Sequence, residues 1–173
     1  EIQCGVGRTG KLWAHEHFGV QPDMMTLAKA LGGGLPIGAT LLTDRVAQAL
    51  APGDHGSTFA GGPVVCRAAQ VVLRRVSDPA FLARVTALGA RLVERLRALH
   101  SPHVREVRGL GLMVGVEMDI EVAPLIKAGY AHGVLMINAG TRVLRLLPPL
   151  IVEEAHIDQL AEVLGTILHE VAD

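Results

Sequence analysis

Apolar positions recur at helical spacing over residues 80–99. Leu82, Val85, Leu88, Leu92, Leu96 and Leu99 share one face, while Arg84, Arg91, Glu94 and Arg95 lie mostly elsewhere. Ser77-Asp78-Pro79 supplies a cap and a first-turn proline for that helix. The preceding stretch, residues 64–76, is apolar all round and reads as another helix, with Pro63 in its first turn. A terminal helix is predicted from Glu153 to Val171, with two glutamates where the helix dipole favours negative charge. Residues 122–132 form a further helix, and Thr43-Asp44 caps a short one over residues 45–50.

Short apolar runs bounded by glycine, proline or asparagine read as strands. They cover residues 24–28, 37–42, 104–108, 112–118, 133–137 and 142–147, the last stopped by Pro148-Pro149. Turns are expected at residues 20–23, 109–111 and 138–140, a loop at 51–56, and a helical turn at 11–17. Residues 1–10, with Gly5, Gly7 and Gly10, read as a strand end followed by a loop. A boundary near residues 76–80 or 100 separates a glycine-rich α/β front from a compact α/β back. Because Glu1-Ile2-Gln3 runs straight into a turn with no initiator methionine, the chain is expected to be a piece of a longer protein.

Composition narrows the function classes. Half of the 173 residues are hydrophobic, enough to build one core or two small ones and too many for disorder. The formal net charge of −1 leaves no basic field for nucleic acid, and aromatics at 3% offer no base-stacking platform. No charge block points to a membrane surface, and no apolar run approaches a bilayer span. Cys4 and Cys66 stand apart without metal-ligand spacing, which favours a reducing, cytoplasmic compartment. His15 and His17 have no cysteine or acidic partner to complete a metal site, so no metal is expected and both are read as solvated. His55 is read as shaping the loop before Gly56.

One lysine stands out. The chain has three lysines against thirteen arginines, and Lys29 sits between apolar residues ahead of Gly32-Gly33-Gly34. Burial would lower its pKa and leave an amine able to condense with a carbonyl near neutral pH. A lysine snorkelling to solvent fits the local pattern equally well. The glycine run offers mobility and close backbone approach. It lacks the following lysine of a nucleotide-binding loop. Ser57 and Thr58, flanked by glycine, suit either a phosphate or a solvated turn. Arg145, between apolar residues, suits a carboxylate or a solvent-facing strand position; Arg142 is the weaker competitor.

Taken in order, EIQCGVGRTG, PDMMTLAKALGGGLPIGA, HGSTF with GGP, VREVRGLGLMVGVE and RLLPPL resemble the C-terminal half of the class III pyridoxal-phosphate aminotransferases. The similarity spans essentially the whole chain. It is nearest to the acetylornithine aminotransferases and the related enzymes of carrier-protein-linked lysine biosynthesis. The resemblance implies fold type I, with residues 1–75 as the end of a large, mainly parallel-sheet domain. Residues 76–173 would be a linking helix and the small α/β domain. It also implies a homodimer with pyridoxal 5'-phosphate and no nucleic-acid or membrane partner. The expected reaction moves the ω-amine of an N-acylated ornithine to 2-oxoglutarate, giving a semialdehyde and glutamate, as in arginine biosynthesis. One alternative is a carrier-linked lysine donor; the other is an inactive fragment lacking the first half of the active site.

By this resemblance Lys29 holds the cofactor covalently and moves the proton, and Gln3 contacts its phenolic oxygen. Ser57 and Thr58 reach the phosphate held by the other subunit, and Arg145 takes the substrate carboxylate. The family's pyridinium-pairing aspartate would immediately precede Glu1. Glu1 is expected to point to the opposite face of the strand, outside the site. Arg8 is expected to be structural or interfacial. The chain departs from the family pattern at Cys4, usually threonine, at Ala60, usually glycine, and at Gly62, usually an asparagine that orders the loop.

Overall fold

Asp78 accepts a hydrogen bond from Ala80 N at 2.9 Å and so opens α3 (Pro79–Arg97), the helix forecast by the leucine spacing. The computed structural model describes residues 1–172; residue 173, which closes the expected second domain, lies outside them. The chain divides into two compact units, Glu1–Ala83 and the residues from Arg84 onward, and the division falls inside α3.

In the second unit, Val85, Leu88, Leu92 and Leu96 of α3 are buried. A four-stranded antiparallel sheet runs in the order β3 (Val104–Leu110), β4 (Met113–Met118), β6 (Val143–Leu146), β5 (Ile137–Ala139). Alternation puts Val114, Val116, Met118, Leu144 and Leu146 in the core, while Gly115 and Arg145 pair on the other face. The remaining helices are α4 (Ala123–Ala131) and α5 (Glu154–Ala172), and α5 contributes Ile157, Ala161, Leu164 and Ile167 to the core. Outside the core, α3 and α5 are joined by ion pairs: Asp158 lies 2.6 Å from Arg91 and 2.9 Å from Arg95. Gly89 packs against the backbone of Gly111, so closely that a Cβ there would overlap the Gly111 carbonyl.

The first unit holds β1 (Met24–Leu27), β2 (Ala39–Leu42), α1 (Asp44–Ala47) and α2 (Pro63–Val76), with 3-10 helices at Ala14–Phe18 and Lys29–Gly32. Where the resemblance implies a mainly parallel large sheet, the described residues of this unit hold one antiparallel pair, with Met24 opposite Leu42. Pro63 occupies the first turn of α2, as its fixed φ favours.

Three segments depart from the sequence reading. Residues 1–3 lie in turns, not in a strand: Gly5 N donates to Glu1 O at 3.0 Å, which closes the chain on itself. Residues 133–136 are not strand either. Val134 N donates to Gly129 O at 2.8 Å, so the C-terminal end of α4 absorbs the segment, and pairing with β6 begins only at Ile137. Finally, β3 continues through Gly109 to Leu110, where the expectation was a turn; pairing with β4 holds up to Leu110 opposite Met113.

Candidate active site

Lys29 follows directly from β1, after Leu27 and Ala28. Leu27 and Leu31 are both buried, while Lys29 between them is exposed among the described residues. Its backbone has φ 39°, a left-handed conformation uncommon for a residue with a Cβ. The chain turns there into the Lys29–Gly32 3-10 helix. Strain of this kind persists where surrounding structure enforces it, and it recurs at functional positions. Gly33 and Gly34 follow, both at positive φ, and no atom lies within 4 Å of a Cβ built at Gly34, so the approach is open. On the other side, Gly33 meets Val72 of α2 at 3.0 Å measured from a built Cβ, so the lysine turn rests on that helix.

The loop before α2 carries Ser57 and Thr58. Both are exposed, as is the whole stretch 51–61. Gly62 occupies the N-cap of α2 with no side-chain cap bond, so this loop lacks the brace that an asparagine would supply. His55 is exposed in the same loop. Gln3 is half-buried in the opening turn.

That opening segment has an anchor the sequence reading missed. The two carboxylate oxygens of Glu1 accept Ala14 N at 2.8 Å and His15 N at 2.9 Å, one each. Far from pointing idly away, Glu1 ties residues 1–5 to the start of the first 3-10 helix. The histidines read as solvated join the same brace. His15 Nδ1 lies 2.8 Å from Val20 O, and His17 Nε2 lies 3.1 Å from the hydroxyl of the buried Thr9. Burial pulls the Arg8 guanidinium below its ordinary value. No sequence signal marks the Glu1 anchor, since its partners lie 13 and 14 residues away. Among the described residues, no cluster of three histidine, cysteine or acidic side chains could hold a metal.

In the second unit, Arg145 is half-buried on β6, opposite Gly115 on one side and Ile137 on the other. It lines a pocket of about 660 Å³ whose walls include Leu135, Ile137, Pro148, Ile151 and Val152. Arg142 is exposed ahead of β6 and outside that lining. A planar guanidinium among mainly apolar walls can take a carboxylate by two parallel hydrogen bonds; Glu153, His156 and Gln159 line the same pocket. Gln3 thus stands in the opening turn, Lys29 at the start of a 3-10 helix and Ser57 and Thr58 in a loop of one unit, and Arg145 stands on a strand of the other.

A strained, exposed amine beside a glycine run and a separate arginine pocket suit the fold type I transferases, and solved structures of that class match the chain. The ornithine aminotransferase of Toxoplasma gondii ME49 superposes with a TM-score of 0.91 at 34% identity, covering 99% of this chain and 42% of that one. The acetylornithine aminotransferase of Elizabethkingia anophelis gives 0.89 at 32% identity, covering 98% and 46%. The chain belongs to the aminotransferase class-III family, whose profile matches residues 1–168. The mitochondrial acetylornithine aminotransferase of Alnus glutinosa is 53% identical over 167 residues, 95% of this chain and 37% of that protein. The chain therefore spans less than half the length of each of these proteins.

Class-III aminotransferases use pyridoxal phosphate. The residues present fit that group: a primary amine at a left-handed backbone position, open space beside Gly34, and paired hydroxyls in an exposed loop.

Proposed function

We propose that the protein transfers the ω-amine of an N-acylated ornithine to 2-oxoglutarate, yielding a semialdehyde and glutamate, a reaction of arginine biosynthesis. The observation that carries this reading is the 53% identity, over 95% of the chain, to a protein named acetylornithine aminotransferase. When bound, pyridoxal phosphate supplies an electron-withdrawing ring that accepts the electron pair left as a proton departs from the donor carbon. Lys29 Nζ holds the cofactor and takes and returns that proton. The Gln3 amide faces the phenolic oxygen. Thr58 and Ser57 donate hydroxyl hydrogen bonds to the phosphate held by a second copy in a homodimer. Arg145 pairs with a substrate carboxylate and fixes the reacting carbon by two parallel hydrogen bonds. A cytoplasmic location is proposed, although the alder relative bears a mitochondrial name. No described helix is long and apolar enough to cross a membrane.

The test is a direct comparison of donors with the whole enzyme. N-acetylornithine should give a higher kcat/KM than free ornithine or a carrier-linked lysine; a preference for either rival replaces the reading. Borohydride reduction of the loaded enzyme followed by peptide mapping should mark Lys29. Label on another residue, or none, removes Lys29 from its role.

A further inference from the structure

The chain after β6 has an unusual problem of support. Residues 147–153 form neither strand nor helix, and Pro148-Pro149 within them have no N–H to donate. Val152 N donates to Pro149 O at 2.9 Å, a single tight turn. Packing holds the segment weakly at its tip, where Ile151 is 74% exposed. Yet this segment is one wall of the Arg145 pocket, through Pro148, Pro149, Ile151 and Val152.

Further support comes from α3, 66 and 68 residues earlier in the chain. Arg84 Nη1 donates to Leu150 O at 3.2 Å, and Nη2 donates to Val152 O. One guanidinium thus holds two carbonyls two residues apart. That span suits a rigid planar fork with separate terminal nitrogens, and an ammonium, as a point donor, cannot reproduce it.

We propose that Arg84 is a positioning residue for the carboxylate subsite at Arg145, pinning the 147–153 segment so that the apolar wall and the guanidinium keep a fixed spacing. The inference rests on the reading that Arg145 receives a substrate carboxylate. A carboxylate between an arginine and apolar walls is sensitive to small displacements, because both the bidentate geometry and the exclusion of water depend on the wall. Releasing the wall should therefore weaken substrate binding more than it slows the chemical step.

The experiment uses the whole, cofactor-loaded enzyme with Arg84→Met, Arg84→Lys, Arg145→Lys and the double variants, reading KM for 2-oxoglutarate and kcat. Arg84→Met should raise KM about tenfold and change kcat by less than about twofold. Arg84→Lys, which keeps charge and stem, should fall between it and the parent, and it serves alone where Arg84→Met does not fold. In the Arg145→Lys background, either Arg84 substitution should add less than about twofold to KM, since the subsite it positions is already lost. Equal KM multiplication in both backgrounds, or a fall in kcat with KM unchanged, overturns the proposal. The two readings separate cleanly. If Arg145→Lys raises KM and the Arg84 variants do not, only the pin fails. If Arg145→Lys leaves KM alone, the carboxylate assignment fails and the positioning role fails with it.

Discussion

The two units of the chain bury their apolar side chains to very different extents. From Arg84 onward, Leu92, Leu112, Val116, Leu144, Leu164 and Ile167 are completely enclosed, and a sheet and three helices share one core. Before it, burial is confined to a few positions such as Val6, Leu27, Leu31 and Val76, while Phe18, Met24, Phe59, Val64 and Val71 stay exposed. The candidate chemistry divides in the same way. The front unit carries Lys29, Ser57 and Thr58 on exposed turns and loops, and the back unit presents Arg145 from the middle of a paired strand. Among the described residues little apolar packing reaches those turns and loops, and polar hydrogen bonds hold the segments beside them. Glu1 is a clamp of this kind in the front, and Arg84 plays the same part for the irregular 147–153 segment of the back.

Four substitutions test that contrast, beginning with the largest effect. Lys29→Ala in the whole enzyme should lower kcat by at least about a thousandfold, since it removes the amine proposed to hold the cofactor and move the proton. Retained multiple-turnover transamination would place the chemistry elsewhere. Gly89→Ala attacks the back unit instead. The added Cβ collides with the Gly111 backbone, and unfolding by urea should show a loss of about 3 kcal/mol. A shift within error would mean that α3 and the β3–β4 turn can part without cost.

Glu1→Gln is subtler. Each oxygen now accepts one backbone N–H, so an amide must set its own NH2 against one of them. The expected cost is about 1–2 kcal/mol, localised as faster amide exchange over the opening turn and the Ala14–Phe18 helix. Unchanged exchange there would dismiss Glu1 as an anchor.

Asp158 gives the smallest effect. The hydrogen bond from Arg91 holds its carboxyl below the ordinary value, with further help from the charges of Arg91 and Arg95. A depressed folded-state pKa contributes stability above the unfolded pKa of about 3.9 and loses it as pH falls through the folded value. Asp158→Asn should therefore flatten the acid side of the melting-temperature profile below about pH 4 and slightly lower the plateau above it. A variant whose acid limb matches the parent's would show that the ion pairs on α3 and α5 contribute nothing to the pH dependence.

Much of the architecture was legible along the chain. The leucine spacing of α3, the proline at the start of α2, the apolar run of β4 and the Pro148-Pro149 stop after β6 depend on residues within a few positions of each other. Local sterics and periodicity are enough to read them. The ordered motifs carried the family in the same way, because each is a short run whose identity needs no fold. The misread segments had a different cause. Residues 133–136 have strand composition, but the backbone of Val134 is committed to closing α4. Residues 1–3 look extended until the Glu1 carboxylate finds its partners 13 and 14 residues on.

The sequence by itself determined the order of helices and strands, the candidate residues Lys29, Gln3, Ser57, Thr58 and Arg145, and the family to which they belong. Only the tertiary structure decided that Lys29 takes a left-handed backbone, that Glu1 braces the opening loop, and that Arg84 supports the wall beside Arg145. Those outcomes depend on backbone conformation and on hydrogen bonds between groups far apart in the chain. Such a bond forms only once folding brings its partners together, so neither residue shows it in its own neighbourhood.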